Sequence, residues 1–266
     1  MKLCLDVGNS QMHGGVYRHE ELICQFRRET TKASRDELGL FLVAVLREQG
    51  VDPARIERIG ISCVVPAQVH ALRNACRIYF QREPLFVEAG IRTRIRIRTR
   101  NPLEVGADRI ANAVAATRHL AGRNVLVVDF GTALTIDAVS GQGEYLGGVI
   151  TPGLGLAMDA LGTKTAKLPL VEILRPEQVL GRSTTESIQS GLYYGYAGLI
   201  SSLAERLKTE AFGDDDCRII ATGGFAQLYR QAGLFDEIVP DLVLRGVSAL
   251  LDFNPADQKD DGESEP

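Results

Sequence analysis

Two related α/β lobes, each a mixed sheet flanked by helices, are the fold this sequence predicts. Three observations carry the prediction. First, an acidic glycine turn follows an apolar strand twice, as Lys2-Leu-Cys-Leu-Asp6-Val-Gly8-Asn9-Ser10 and as Val125-Leu-Val-Val-Asp129-Phe-Gly131-Thr132. Asp6 matches Asp129, Gly8 matches Gly131 and Asn9 matches Thr132, each at an offset of 123 residues. Second, strand-like and helix-like apolar periods alternate in both halves, as sheets layered with helices require. Third, 266 residues with 45% apolar and 24% charged side chains suit one or two ordinary globular domains.

The elements follow in order. Lys2–Val7, His13–Tyr17 and Glu21–Phe26 read as three strands. Ser34-Arg-Asp-Glu37 fits a capping box, and the apolar residues from Leu38 to Leu46 continue as a helix that Gly50 ends. Ile59–Val65 is a strand closed by Pro66, Ala67–Phe80 an amphipathic helix and Leu85–Val87 a short strand. From Ile91 to Arg100, five arginines alternate with Ile and Thr, which predicts a strand with one apolar and one basic face. Gly106-Ala-Asp-Arg109 opens a helix running through Ile110, Ala113, Val114 and Thr117. The second lobe begins at the turn Gly122-Arg-Asn, so residues 1–120 and 121–254 are expected as the lobes, and 255–266 as a disordered acidic tail. Within the second lobe, Leu134–Val139 and Tyr145–Ile150 are strands around the central hairpin. Thr151-Pro-Gly-Leu-Gly155 leads into a short helix, and Ser187–Leu207 is a longer one. Gly191, Gly195 and Gly198 on that helix weaken it by up to about 1 kcal/mol each, so their helical spacing suggests close packing against another backbone. Ile219–Ala221 is a strand, Thr222-Gly-Gly224 opens a helix, and Val243–Leu251 closes the chain's ordered part.

Net charge is −4 and the isoelectric point about 5.7, which disfavours nucleic acid and anionic membrane as partners. The arginine stripe Arg92–Arg100 keeps three readings open: a solvated edge, a face that draws an anionic substrate, or a nucleic-acid stripe. Cys4, Cys24, Cys63, Cys76 and Cys217 form no Cys-x-x-Cys pair and read as reduced thiols, most of them in the core. No signal-peptide pattern precedes Asp6 and no apolar run reaches about 18 residues, so a cytoplasmic protein is expected. His13, His19, His70 and His119 lack ligand spacing and read as surface or satisfied histidines.

An Asp-x-Gly turn alone is a common hairpin tip with an Asx hydrogen bond. Two copies heading two halves suggest lobes that face each other across a cleft. Backbone donors without a Cβ in the way suit phosphate oxygens, and adjacent carboxylates suit the hydrated cation that accompanies them. The chemistry proposed is a nucleoside triphosphate with a metal. Gly106–Arg109 reads either as an ordinary helix start or as an anion site. In the second case Arg109 and free N–H groups hold a carboxylate, while Asp108 accepts the proton of an attacking hydroxyl.

The paired turns resemble the phosphate loops of the superfamily of acetate and sugar kinases, heat-shock chaperones and actin. That resemblance implies a duplicated two-lobe actin-like (ribonuclease H-like) fold. More narrowly, the chain resembles the type III pantothenate kinases. The matching stretches are Asp6–Ser10, Asn101-Pro-Leu-Glu-Val-Gly-Ala-Asp-Arg109, Asp129–Thr132, Gly181-Arg-Ser-Thr-Thr-Glu-Ser-Ile-Gln-Ser-Gly191 and Thr222–Gly224, in the family's order. The Gly-Ala-Asp-Arg and Gln-Ser-Gly blocks are family-specific; the Asp-x-Gly turns identify only the superfamily. The resemblance implies that Asp6, Val7, Gly8, Asn9, Ser10, Gln11, Met12, His13 and Thr132 bind ATP and its phosphates, with Mg²⁺ reached by Asp6 through those phosphates. It implies Asp108 as the catalytic base, and Gly106, Ala107, Asp108, Arg109 and Thr184 as contacts to pantothenate. Asp129 is implied as the site of a monovalent cation, K⁺ or NH₄⁺, and Thr222–Gly224 as the adenosine-side turn. Ser183 and Thr185 stand beside Thr184 as substitutes for it. One residue departs from the pattern: Thr99 stands where the family usually has a Tyr lining the pantothenate site.

The expected activity is therefore ATP-dependent phosphorylation of pantothenate to 4′-phosphopantothenate, the first step of coenzyme A biosynthesis, by a homodimer with its active site at the interface. Two rivals stand beside it: a regulatory homologue acting as a transcription accessory factor, supported only by the arginine stripe, and a related kinase of another small hydroxyl substrate.

Overall fold

The computed structural model describes residues 1–255; of the tail expected at 255–266, all but the first residue lies outside them. The first sheet is built from β1 (Lys2–Val7), β2 (Gln11–Arg18), β3 (Glu21–Glu29), β4 (Arg58–Cys63) and β5 (Leu85–Phe86), in the order β3-β2-β1-β4-β5. Helix α1 (Arg35–Glu48) follows β3, and α2 (Pro66–Phe80) follows β4. The second sheet takes β6 (Arg96–Ile97), β7 (Asn124–Phe130), β8 (Ala133–Val139), β9 (Glu144–Pro152), β10 (Cys217–Gly223) and β11 (Glu237–Ile238), in the order β11-β10-β7-β8-β9-β6. The remaining helices are α3 (Ala107–His119), α4 (Leu154–Lys164), α5 (Thr184–Phe212) and α6 (Leu242–Phe253).

The duplication read from two short motifs extends to whole sheets. β1 pairs antiparallel with β2 and parallel with β4, and β2 pairs antiparallel with β3. β7 repeats this with β8, β10 and β9. Each sheet is a three-stranded meander joined to two parallel strands, with β6 added parallel to β9 at the far edge of the second, the mixed α/β fold expected.

Local chemistry sets the helix ends. Ser34 Oγ accepts from the Glu37 N–H and Glu37 returns the bond to the Ser34 N–H at 2.6 Å, the capping box foreseen. Pro66 sits at the first turn of α2, where its missing N–H costs nothing.

Strand parity positions the site. On β7, Leu126, Val128 and Phe130 face the outer helix α5, while Val125 and Val127 face α3. Asp129 has the parity of Val125 and Val127, so it faces α3. On β1, Leu3, Leu5 and Val7 pack with α1 and α2, whereas Cys4 packs with α6. Asp6 shares the parity of Cys4, so its carboxylate also points between the sheets. There α3 and α6 cross so closely that a Cβ on Gly246 would lie 1.9 Å from the Ala111 carbonyl oxygen. Two lone carboxylates at equivalent strand ends are thereby turned onto one helix.

Three expectations change. The predicted Ile91–Arg100 strand shrinks to Arg96–Ile97, because a left-handed turn at Arg94 (φ 59°) breaks the extended run. The alternation itself holds: every arginine is exposed, and every residue between is half-buried. Thr222–Gly224 does not open an α-helix; a turn follows and a 3₁₀ segment covers Ala226–Ala232. Among the described residues, the glycines of α5 do not pack against backbone of this chain, since a Cβ on Gly191, Gly195 or Gly198 would meet nothing within 4 Å. Among the described residues, no helix is long and apolar enough to cross a membrane.

Candidate active site

Asp6 ends β1, level with Ser62 of the parallel strand β4, whose hydroxyl donates to Asp6 Oδ1 at 2.9 Å. The turn that follows is tight: the Gly8 N–H donates to the Gln11 carbonyl at 3.0 Å. Thr30 clamps it from β3's end, donating its hydroxyl to the Gly8 carbonyl at 2.7 Å and its N–H to the Ser10 carbonyl at 2.9 Å. Gly8, Asn9, Ser10 and Gln11 remain open to solvent to differing degrees. Val7 and Met12 are buried in the core, so only their backbone can meet a ligand. His13 is buried too, and its ring bonds Gln25 at 3.2 Å, a satisfied histidine.

Asp129 is the penultimate residue of β7, level with Thr222 of the parallel strand β10. The second turn is backed from two sides. A Cβ on Gly153 would lie 2.4 Å from the Gly131 carbonyl oxygen, so the N-terminus of α4 rests against this turn. A Cβ on Gly223 would lie 2.7 Å from Asp129 Oδ1, and Gly223 adopts φ +89°. Glycine is needed there both for space and for backbone geometry. The two turns meet directly, Ser10 Oγ and Thr132 Oγ1 standing 2.8 Å apart.

Helix α3 brings the third carboxylate. Asp108 lies in its first turn and folds back, so that Oδ1 accepts from the Arg109 N–H at 2.8 Å. A Cβ on Gly106 would come within 2.5 Å of that oxygen, so the folded-back Asp108 carboxylate lies directly over the glycine that opens the helix. Burial pushes Asp6 up to about 7, with the charges of Asp108 and Asp129 adding to the rise. Burial likewise pushes Asp129 to about 7; a hydrogen bond from Asn112 opposes it, while Asp108 and Asp137 reinforce it. Asp6, Asp108 and Asp129 therefore form one electrostatic unit, short of cationic charge and open to partial solvent.

Sequence reasoning missed two residues. Asn112, four residues beyond Asp108 on α3, donates Nδ2 to Asp129 Oδ2 at 2.8 Å, while its buried Oδ1 has no partner. Asp137 on β8 is 1% exposed and accepts from Arg109 Nε at 3.0 Å and Nη2 at 2.5 Å. A lone Asp inside the apolar run Leu134–Val139 was its sequence signal, since a buried carboxylate demands a partner. Thr184 stands at the exposed start of α5 and shares no hydrogen bond with the three carboxylates among the described residues. Thr99 packs near Gly147, and its buried hydroxyl has no partner. The arginine stripe is largely satisfied: Arg98 bonds Glu144 at 2.5 and 2.9 Å, and Arg94 stacks over Phe253 at 4.3 Å. Two surface cavities, of about 490 and 470 Å³, lie beside Phe253 and beside Tyr17, away from the carboxylates. The five cysteines are free; burial pushes Cys4 and Cys76 up to about 12, which keeps those thiols inert.

The duplicated sheets with acidic turns meeting between them define an actin-like two-lobe fold. The same fold occurs in the crystal structure of a candidate 2-dehydro-3-deoxygalactonokinase from Sinorhizobium meliloti, with a TM-score of 0.62 at 15% identity over 96% of this chain and 98% of that one. A family profile described as "Type III pantothenate kinase" matches residues 2–206. Proteins of that name from Legionella pneumophila (strain Paris) and Elusimicrobium minutum (strain Pei191) are 51% and 44% identical, covering 96% of this chain and 100% and 99% of theirs. The chain belongs to the type III pantothenate kinase family.

Proposed function

We propose that this protein transfers the γ-phosphoryl group of ATP to the primary hydroxyl of pantothenate, yielding 4′-phosphopantothenate and ADP at the entry to coenzyme A synthesis. The observation that carries the reading is the convergence of Asp6 and Asp129, from equivalent strand ends, on the helix whose first turn holds Asp108. Phosphate oxygens would accept from the backbone and hydroxyls of Asp6–His13 and from Thr132, replacing the Ser10–Thr132 contact. Among the described residues, no cluster of three or more His, Cys, Asp or Glu is arranged to hold a metal. One carboxylate, Asp6, shared with phosphate oxygens and water is the ligand set Mg²⁺ prefers. Mg²⁺ supplies charge neutralisation of the triphosphate when bound.

In the transfer, the pantothenate hydroxyl oxygen forms a bond to Pγ as the Pγ–O–Pβ bond breaks and ADP leaves. Asp108 accepts the hydroxyl proton. Gly106, Ala107 and Arg109 hold the acceptor at the helix N-terminus, where free N–H groups favour its carboxylate. Thr184 reaches substrate from a second copy of the chain, in a homodimer whose interface includes α5. The open glycine face of that helix supports this arrangement. Asp129 holds a monovalent cation, K⁺ or NH₄⁺. Its raised pKa and the orphaned Asn112 Oδ1 beside it suit a weakly hydrated cation with oxygen ligands. We take residues 1–120 and 121–254 as the two lobes, working in the cytoplasm where ATP is supplied. Within the arginine stripe Arg98 pairs with Glu144 and Arg94 lies over Phe253, and the net charge of −4 disfavours a DNA-binding role.

A coupled assay with purified protein, ATP and Mg²⁺, over several acceptor hydroxyls and with or without potassium, tests the reading. Phosphorylation of pantothenate stimulated by potassium upholds it; turnover of a sugar alone would sink it.

A further inference from the structure

Asp137 has a cost that its position in the fold does not require. It lies in the middle of a buried strand, at a site an aliphatic residue would fill at no electrostatic penalty. A buried ion pair rarely adds stability over well-packed apolar side chains, so the pair calls for another explanation. The surroundings are built around it. Arg109 contacts both carboxylate oxygens, Nε lying 3.0 Å from Oδ1 and 3.3 Å from Oδ2, and Nη2 2.5 Å from Oδ1. Tyr145 donates its hydroxyl to Oδ1 at 2.7 Å, and Thr135 donates to Oδ2 at 3.3 Å. Opposite on β9 stands Gly148, where a Cβ would lie 2.7 Å from Asp137 Oδ1 and 2.2 Å from the Ile136 carbonyl oxygen. The Arg109 guanidinium also lies over the Tyr145 ring, 5.8 Å from its centroid.

We infer that Asp137, held by Tyr145, is the positioning residue that aims Arg109 and thereby sets the enzyme's demand for a carboxylate on its acceptor. The inference rests on the reading of Arg109 as the contact to that carboxylate. An arginine side chain has many rotamers, and freezing them on substrate binding is expensive. Asp137 freezes them in advance through Nε and Nη2. The Nη1 edge bonds no described residue and remains for a ligand. The same pair anchors the first turn of α3 to the second sheet, and the Arg109 N–H holds Asp108 Oδ1 within that turn. A neutral acceptor gains nothing from an aimed guanidinium, so the device discriminates by charge.

The test compares pantothenate with its alcohol analogue, in which –CH₂OH replaces the carboxylate, for wild type, Asp137→Asn, Tyr145→Phe and Arg109→Ala. Asp137→Asn is expected to raise the pantothenate KM by about 10- to 100-fold, the worth of a hydrogen bond to a charged group, with the ATP KM little changed. The preference for acid over alcohol should fall by the same factor. Tyr145→Phe, which leaves the ion pair standing, should move both in the same direction by less. Unchanged pantothenate KM and preference in Asp137→Asn, or pantothenate and ATP KM rising in parallel, would overturn the inference. If Asp137→Asn does not fold, Tyr145→Phe decides by the same criteria. Wild type inactive on pantothenate would defeat the proposed function instead. Arg109→Ala with intact preference for the acid would defeat the role of Arg109 on which the inference stands.

Discussion

Asp6 and Asp108 make different demands on the protein, and each can be separated by an isosteric change. Asp108, the base in the proposed transfer, makes no bond to either acidic turn among the described residues. Asp108→Asn should therefore lower kcat by at least about 100-fold, the scale of general base catalysis, while ATP binding measured by calorimetry stays within a few-fold of wild type. Loss of ATP affinity together with turnover would make Asp108 a nucleotide-site residue. Asp6 instead works against the fold. Its carboxyl is raised by burial and by Asp108 to about 7, so the folded chain holds that proton more tightly than the unfolded chain. The folded state binds the extra proton between the ordinary carboxylate range and neutrality, so stability falls as pH rises through that window. Asp6→Asn keeps an acceptor for Ser62 and removes the charge. Without nucleotide, it should melt above wild type at about pH 8, with the gap closing near pH 5, in a thermal-shift series. A variant that melts below wild type at both values would contradict the assigned cause. Asn112 carries a third prediction. Asn112→Ala removes the bond that lowers the Asp129 pKa and deletes the orphaned Oδ1. The potassium concentration for half-maximal activation should rise, and thermal stabilisation by potassium alone should weaken. Unchanged values in both measurements would detach Asn112 from the cation.

At the scale of elements, α3 is the organiser. Its first turn holds Asp108, its next residues reach Asp137 and Asp129 through Arg109 and Asn112, and its middle touches α6. Much of this was legible. The Gly106–Arg109 block, the capping box and the acidic turns depend on residues close in sequence, and local spacing reveals such features. The arginine run was read correctly as two faces and wrongly as a full strand. Side-chain alternation depends only on local backbone direction, whereas a strand needs a partner. β9 offers ladder positions only at Glu144 and Tyr145, and the left-handed Arg94 turns the chain away beyond them. The glycine face of α5 was read as a packing surface, and no partner backbone occurs among the described residues. Its three glycines weaken the helix by up to about 3 kcal/mol together if nothing packs there. Gly195→Leu should accordingly convert the proposed dimer to monomer in analytical ultracentrifugation while helix content by circular dichroism is kept. An unaltered sedimentation coefficient would free α5 from that role.

Across the whole molecule, the final helix returns to the first sheet: α6 packs on Cys4, Tyr17 and Val87, and Tyr17 donates to Asp241 at 2.9 Å. The described chain is thus closed on itself, with α3 and α6 as the joint between the sheets and the two acidic turns in contact with each other. By itself, the sequence determined the duplication, the paired acidic turns, the helix that opens on Gly106–Arg109 and the family. Each is written in short-range patterns whose physics is local: strand parity, glycine turns and helix N-termini. Only the tertiary structure decided which buried groups answer one another, Arg109 with Asp137, Asn112 with Asp129 and Ser10 with Thr132. Those partners are 17 to 122 residues apart. Their pairing follows from the cost of burying a charge or a polar atom alone, and it is settled only where the folded backbones bring them within reach.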